Sequence, residues 1–397
     1  MCPAEIVLVC KDFWPDTQAT SQLFSDLIYH LTEKGHHISV ICGYPMASEC
    51  KFDETQPLGK VKITRIGPKK PSKKNILCRL YHYLAFSLCL GTHMFKYRHN
   101  KVIALTAPPF LPAWIYILQK LFKFKYSLFI LDLYPEILTG SKIFKPNIFL
   151  IKVWKYLNKK AFYHADRIFV LGRDMENVLK TSYGLGETVY YFPHWSQTNG
   201  KLINFEDTYL INRLNLRSKF VVQYSGNMGL LHDMDSFVLV AKTLASYEQI
   251  HFLFIGSGKR KKNAQKLSTR MKNITWLPQQ SKAHLAETLA ACHVGLVSLR
   301  ESMLGYAVPS KLYGILAAGR AVIAMAPKGS EIEQTITESN CGIVTTGIQD
   351  TATAILELYY NREKLEQLSA NGHREFLKKY TLANAIVRYE QLCTNGL

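Results

Sequence analysis

The chain has 397 residues, long enough for two domains with a core each, and 48% of them are apolar, which excludes a disordered chain. Its formal charge of +19 is unevenly placed: Thr55 to Leu131 holds fourteen Lys or Arg and no Asp or Glu, so an acidic partner is expected, whether nucleic acid, anionic lipid or a phosphorylated small molecule. The nine Cys form no CxxC pair and no His/Cys cluster at metal-ligand spacing, and they read as reduced core residues of a cytosolic protein.

Along the chain, short apolar runs alternate with helical patterns, the signature of parallel α/β units. IVLVC (6–10) reads as a first strand rather than a signal peptide. The amphipathic SQLFSDLIYHLTEKG follows, then HISVICG, KVIALT, YSLFILD and RIFVLG, which complete a doubly wound domain by about Phe192. Two apolar runs, Leu80–Phe95 and Val102–Gln119, are rejected as membrane spans. The first is short and holds two His, and Pro108, Pro109 and Pro112 break the second. A basic helix is expected from Ile148, with Lys152, Lys155, Lys159 and Lys160 alternating with Phe149, Val153, Trp154 and Leu157, a pattern suited to an anionic membrane surface.

The polar segment 196–207 reads as a hinge, after which a second series runs over 208–375: FVVQYSGN, a helix from Ser236, IHFLFIGSG, a Lys-rich helix, ITWLP, a helix from Lys282, VGLVSL, AVIAMAP and GIVTTG. A C-terminal helical segment, 376–397, is expected to pack back on the first domain, 1–195. Two Rossmann-like domains place a shared ligand at the carboxyl ends of their strands, in a cleft.

Several stretches carry chemistry. In VPSKLYGILAAGRAVIA, Ser310 is expected to cap a helix whose first turn carries Lys311, an arrangement that suits an anion. GSGKRKKN (256–263) follows a strand. It lacks the third Gly and the distant acid of a dinucleotide fingerprint, so it is either a close backbone approach to a ligand or a tight turn before a solvated helix. YSGNMGLLHD puts Gly226 and Gly229 at a strand end, with His232 as a further donor. Asp233 and Asp235 form an Asp-x-Asp directly before a helix, where capping outweighs metal binding. DLYPEILTG places Asp132 and Glu136 at the end of a first-domain strand, where a carboxylate could take a proton, hydrogen-bond a sugar hydroxyl or cap the next element.

In this order the motifs resemble the GT-B glycosyltransferases of family 4, in particular the bacterial enzymes that build exopolysaccharide and O-antigen repeat units on a lipid carrier. The resemblance covers nearly the whole chain: DFWPDTQATSQLFSDLIYHLTEKGHHISVI, Thr106-Ala-Pro-Pro109, DLYPE, VLGRDM, YSGNMGLLHDMD, FLFIGSG and VPSKLYGILAAGRAVIA. It implies a retaining transfer from a nucleotide sugar, taken as a UDP-sugar, without a metal or other cofactor. The donor would lie in the second domain and a lipid-linked or growing glycan acceptor in the first, at the inner face of the cell membrane, with no nucleic acid as partner. The implied donor contacts are Ser310, Lys311, Gly226, Asn227, His232, Gly256, Gly258, Lys259, Arg260 and Glu331. Asp16, Thr17, Thr20 and Ser21 would face the acceptor, with Asp132, Glu136 and Lys311 in the catalytic set.

The chain departs from the family where two Glu commonly stand eight positions apart: it has Tyr306 and Gly314, with Glu301 or Glu331 as substitute acceptors. Asn227 and His232 stand where many members carry Arg and Lys. The missing Glu pair makes a catalytically inactive glycosyltransferase-like subunit one rival reading, and a sugar-nucleotide epimerase, which can share the two-domain architecture, is the other.

Overall fold

Strands that are buried on both faces must be apolar throughout, and the continuous runs of this chain form two all-parallel sheets. The computed structural model describes residues 6–16, 18–45, 59–69, 76–229 and 231–394. It divides into one unit of 1–193 with 385–397 and a second of 194–384.

The first unit runs β1 (Ile6–Val9), α1 (Ala19–Glu33), β2 (Ile38–Cys42), β3 (Lys62–Arg65), α2 (Ile76–Met94), β4 (Lys101–Leu105), α3 (Leu111–Phe122), β5 (Lys125–Ile130), α4 (Glu136–Gly140), α5 (Phe149–Tyr163), β6 (Ile168–Val170), α6 (Arg173–Ser182) and β7 (Val189–Tyr191). Its sheet order is β3-β2-β1-β4-β5-β6-β7. The strand order reverses between β1 and β4, so the loops leaving these two strands diverge and open a crevice at their carboxyl ends. Phe129 of β5 centres the core, edge-on to Phe24 at 5.0 Å and packed on Phe192 at 5.1 Å.

The second unit runs α7 (Tyr209–Arg213), β8 (Phe220–Ser225), α8 (Met234–Thr243), β9 (Ile250–Ile255), α9 (Lys261–Leu267), β10 (Ile274–Leu277), α10 (Leu285–Ala290), β11 (Val294–Ser298), α11 (Lys311–Ala317), β12 (Ala321–Met325), α12 (Glu331–Ser339), β13 (Gly342–Thr345), α13 (Ile348–Tyr360) and α14 (Arg362–Lys379). The order β10-β9-β8-β11-β12-β13 puts its switch point between β8 and β11. From Ala385 onward the last helix, α15 (Leu382–Tyr389), belongs to the first unit, where Tyr389 lines a small apolar gap with Ile6, Leu8 and Phe24.

The two rejected spans resolve differently. Leu80–Phe95 lies within and just beyond the single helix α2, whereas Val102–Gln119 is a strand, a proline-rich turn and a helix. Among the described residues no helix is long and apolar enough to cross a membrane. The helix from Lys282 starts as a 3-10 turn, Lys282–His284, before α10. There is no break near 375, since α14 continues to Lys379. Six described cysteines are free, and Cys10, Cys42, Cys292 and Cys341 are buried.

One close approach fixes the geometry beside the switch point of the second unit, where β8 and β9 end. Gly226 and Gly256, at the ends of neighbouring strands, have φ of +127° and +136°, and a Cβ on Gly256 would stand 2.0 Å from the Gly226 carbonyl oxygen. No side chain fits there. Gly256→Ala is expected to lower stability by about 3 kcal/mol, read as a lower denaturant midpoint at unchanged slope.

Candidate active site

At the carboxyl end of β11 the backbone carbonyl of Ser298 meets Nδ1 of His232 at 2.8 Å. A carbonyl can only accept, so Nδ1 carries the proton and Nε2 presents its lone pair. That lone pair faces the Nζ of Lys311 at 2.9 Å. Burial, reinforced by Lys311 beside it, pushes the His232 pKa down to about 3, so the ring is neutral. The expectation of a positive donor at 232 is therefore corrected: His232 is an acceptor, and the cation comes from α11.

Lys311 is half-buried, and desolvation lowers its pKa to about 7. Its ammonium lies 5.2 Å from the centre of the Tyr224 ring. Its stem passes so close to Gly226 that a Cβ there would come within 3.0 Å of Lys311 Cε. Gly226 is thus what lets the lysine reach the strand ends. Ser310 precedes α11 with helical dihedrals, and its hydroxyl makes no capping hydrogen bond, which corrects the expected cap.

The neighbouring cations divide into engaged and free. Arg260 pairs with Asp235 at 3.3 Å, and Arg300 with Asp233 at 3.6 Å. Lys261 donates to the carbonyls of Gly256 and Leu277 at 2.7 and 2.8 Å. Lys259 is exposed and, like Lys311, meets no carboxylate among the described residues. Asp233 caps α8 through the Ser236 amide and also accepts from the Ser236 hydroxyl at 2.9 Å, so the Asp-x-Asp serves the fold. No cluster of three His, Cys, Asp or Glu suited to a metal occurs among the described residues.

Gly258 packs against the Met228 backbone, while Asn227 is exposed and its carbonyl accepts from the Tyr224 hydroxyl at 2.8 Å. At position 314 a Cβ would stand 3.2 Å from Leu289, so that face of α11 packs on α10. Tyr306 is half-buried and Glu301 exposed. Glu331 is buried in the first turn of α12 and accepts from the Thr335 hydroxyl at 3.1 Å.

In the first unit Asp132 follows β5, half-buried. Desolvation raises its pKa to about 6, and no hydrogen bond to its carboxylate is formed among the described residues. Glu136 has another use. It is buried, accepts from the Tyr183 hydroxyl at 2.7 Å and pairs with Lys155 at 3.2 Å. Together with the Asn158 to Tyr134 carbonyl bond (2.7 Å) and the Tyr134–Trp154 stack, this clamps α5 to the loop that carries Asp132. The expectation that Glu136 faces the acceptor is corrected to a positioning role. Asp16 and Ser21 are buried and Thr20 half-buried around the start of α1, while Thr17 lies outside the described residues.

Residues 219–361 match the family described as Glycosyl transferases group 1. The chain is a glycosyltransferase of the GT-B fold. Over 348 residues it is 29% identical to a Pseudomonas aeruginosa protein described as a probable glycosyltransferase, WbjE, covering 85% of each. It is 21% identical over 347 residues, 83% of this chain and 85% of the relative, to WcaI of Escherichia coli K12, described as a putative colanic acid biosynthesis glycosyl transferase. HepE of Anabaena in complex with UDP and glucose superposes with a TM-score of 0.74 at 12% identity, over 99% of this chain and 100% of that one. Sucrose-phosphate synthase from Thermosynechococcus elongatus gives 0.77 at 15%, over 99% of each.

Sequence reasoning missed Tyr224 and Ser298 as partners of this glycosyltransferase's site. Tyr224 stood inside a quoted motif, but nothing local marks the Ser298 carbonyl, 66 residues from His232.

Because Lys311 is less basic in the fold than in the unfolded chain, the unfolded state holds more protons between about pH 7 and 10.5. Stability of the unliganded protein therefore rises with pH across that window as far as Lys311 is concerned. Denaturant unfolding at pH 7 and 9 is expected to show this gain, and Lys311→Met to lose it.

Proposed function

We propose that this glycosyltransferase transfers a sugar from a UDP-sugar, with retention of configuration, to a lipid-linked or growing glycan acceptor in polysaccharide biosynthesis. The observation that carries the reading is the Lys311–His232–Ser298 chain at the β8/β11 switch point. An ammonium has three N–H donors; one goes to His232 Nε2, and the others are free for an anion arriving over Gly226. A diphosphate restores the charge on Lys311, and the charge that builds on the leaving group as the glycosidic bond breaks is met in a desolvated place. Exposed Lys259 adds a second cation, and the reading calls for no metal. The structure of HepE, a complex with UDP, supports the choice of nucleotide.

On the acceptor side Asp132 is the group that orients a hydroxyl. Its proton goes to Asp132 or, in a front-face mechanism, to the donor phosphate itself. With the Asp132 pKa near 6, kcat/KM is expected to fall as pH drops below about 6. Asp132→Asn should remove that limb and lower the rate roughly 100-fold, while nucleotide binding stays intact. The exposed Phe149, Leu150 and Tyr156 on α5, alongside its lysines, support docking on the inner face of the membrane.

A second reading, a subunit that binds nucleotide without turnover, is favoured by Tyr306 and Gly314 in place of carboxylates. Thermal unfolding with UDP, UDP-sugars, GDP and NAD, beside a sugar-transfer assay on lipid extracts, separates the two. Near 100 times its Kd a uridine nucleotide stabilises by about 2.7 kcal/mol, and Lys311→Ala should abolish that shift. A shift without transfer selects the second reading, and no shift with any nucleotide overturns both.

A further inference from the structure

Helix α2 carries different chemistry on its two faces. At 100° per residue Leu80, Tyr81, Leu84 and Leu88 stay within about 60° of Leu77, whereas Arg79 and Tyr83 lie about 200° and 240° away. The leucine face is open: Leu77 is 73% exposed, Tyr81 62% and Leu88 65%. Just beyond it Phe95 and Leu121 are also exposed, among exposed Lys96, Arg98, Lys120 and Lys123, with no acid between Thr55 and Leu131. An apolar stripe in a stretch of chain that carries cations and no acid matches an anionic bilayer surface better than a protein partner, which would ask for mixed charge. The helix is fixed on the unit by buried Phe86, Leu90 and Met94 and by the Trp114 indole donating to the Ser87 carbonyl at 2.7 Å.

The other face turns to the carboxyl ends of the strands. The Tyr83 ring stands edge-on to Phe110 at 6.3 Å and has the Lys11 ammonium 5.6 Å from its centre. Lys11 directly follows β1 and Cys10, and its amide donates to the Ala107 carbonyl at 2.9 Å. Next along the sheet, Thr106 accepts the amide of Leu131 at 3.0 Å, one residue before Asp132. Lys11 and Asp132 therefore stand two strands apart in one crevice, about 10 Å by strand spacing, with the first turns of α2 beside them. Burial raises the pKa of Tyr83 and of Tyr134, and Arg79 opposes the rise in both, which places its charge near the two phenols. Lys11 pairs with Asp12 at 3.1 Å, whereas half-buried Arg79 has no carboxylate partner among the described residues.

We propose that Arg79, backed by Lys11, binds the diphosphate that joins a polyprenyl chain to the acceptor sugar, with the leucine face of α2 lying in the bilayer interface. The guanidinium fork fits a phosphate in two-point contact, and Asp132 lies where the first sugar would follow. This rests on the reading of the acceptor as lipid-linked, and it names the group that recognises the lipid.

The test is co-sedimentation of the full chain with phosphatidylcholine vesicles that are plain, doped with phosphatidylglycerol, or doped with undecaprenyl diphosphate at equal surface charge. The UDP thermal shift is measured on every variant. The wild type is expected to bind the diphosphate vesicles about tenfold more tightly than the phosphatidylglycerol ones, the effect of one or two charge-assisted hydrogen bonds. Arg79→Gln and Lys11→Gln should lose that preference and keep phosphatidylglycerol binding, while the double change Leu80→Ser with Leu84→Ser should lose both. All should keep the UDP shift. Equal binding to the two doped vesicles, or an undiminished preference in Arg79→Gln, overturns the proposal. A normal UDP shift alongside either result leaves the donor reading standing. An absent UDP shift with the preference intact would instead sink the donor reading alone.

Discussion

The proposed donor chemistry depends on holding one ammonium where water is scarce. A lone lysine at that place would turn to solvent or lose its proton, and Lys311 is kept by three fixed features: the His232 lone pair, the Tyr224 ring face and the gap left by Gly226. The His232 tautomer is set in turn by a main-chain carbonyl of β11, which the sheet holds rigid. Position 232 is where the resemblance leads one to expect a lysine. Here an imidazole stands there as an acceptor, and the charge has moved to α11. The neighbouring arginines do not compensate, because Asp233 and Asp235 hold them.

The first unit applies the same economy of placement to a carboxylate. The Asp132 carboxylate accepts no hydrogen bond among the described residues, and burial raises its pKa towards 6, while the loop carrying it is tied down by other groups. Glu136, Tyr183, Lys155, Asn158 and the Tyr134–Trp154 stack supply that restraint. A carboxylate desolvated in this way is a stronger hydrogen-bond acceptor towards an incoming hydroxyl than a solvated one. Helix α2 brings Arg79 to the same edge of the sheet while its far side stays apolar and exposed, the two faces on which the proposed lipid contact rests.

The sequence was most legible where structure is local or continuous. Buried parallel strands such as IVLVC and IHFLFI show as unbroken apolar runs, and the Asp233 cap is a contact three residues long. Strands β3 (KITR) and β7 (VYY) escaped because they are short, partly exposed edge strands whose side chains need not be apolar throughout. Helix α12 escaped because only one turn of its pattern, at Ile332 and Ile336, is apolar. In the site, the residue types were readable but not their states. The tautomer of His232 depends on Ser298, 66 residues away, and its neutrality on burial beside Lys311; the role of Glu136 depends on Tyr183, 47 residues away. Pairings over such distances leave no local pattern, so an expected cation proved to be an acceptor and an expected catalytic carboxylate proved to be a brace.

The most direct measurement of the central claim is proton uptake on nucleotide binding, by isothermal titration of UDP into the protein at pH 8 in buffers of different ionisation enthalpy. With Lys311 near pKa 7 in the free protein and fully charged against a diphosphate, binding should take up close to one proton, and Lys311→Met should abolish the uptake. Binding with no proton uptake in the wild type, or with undiminished uptake in Lys311→Met, would contradict the account of Lys311 as the cation that meets the leaving group.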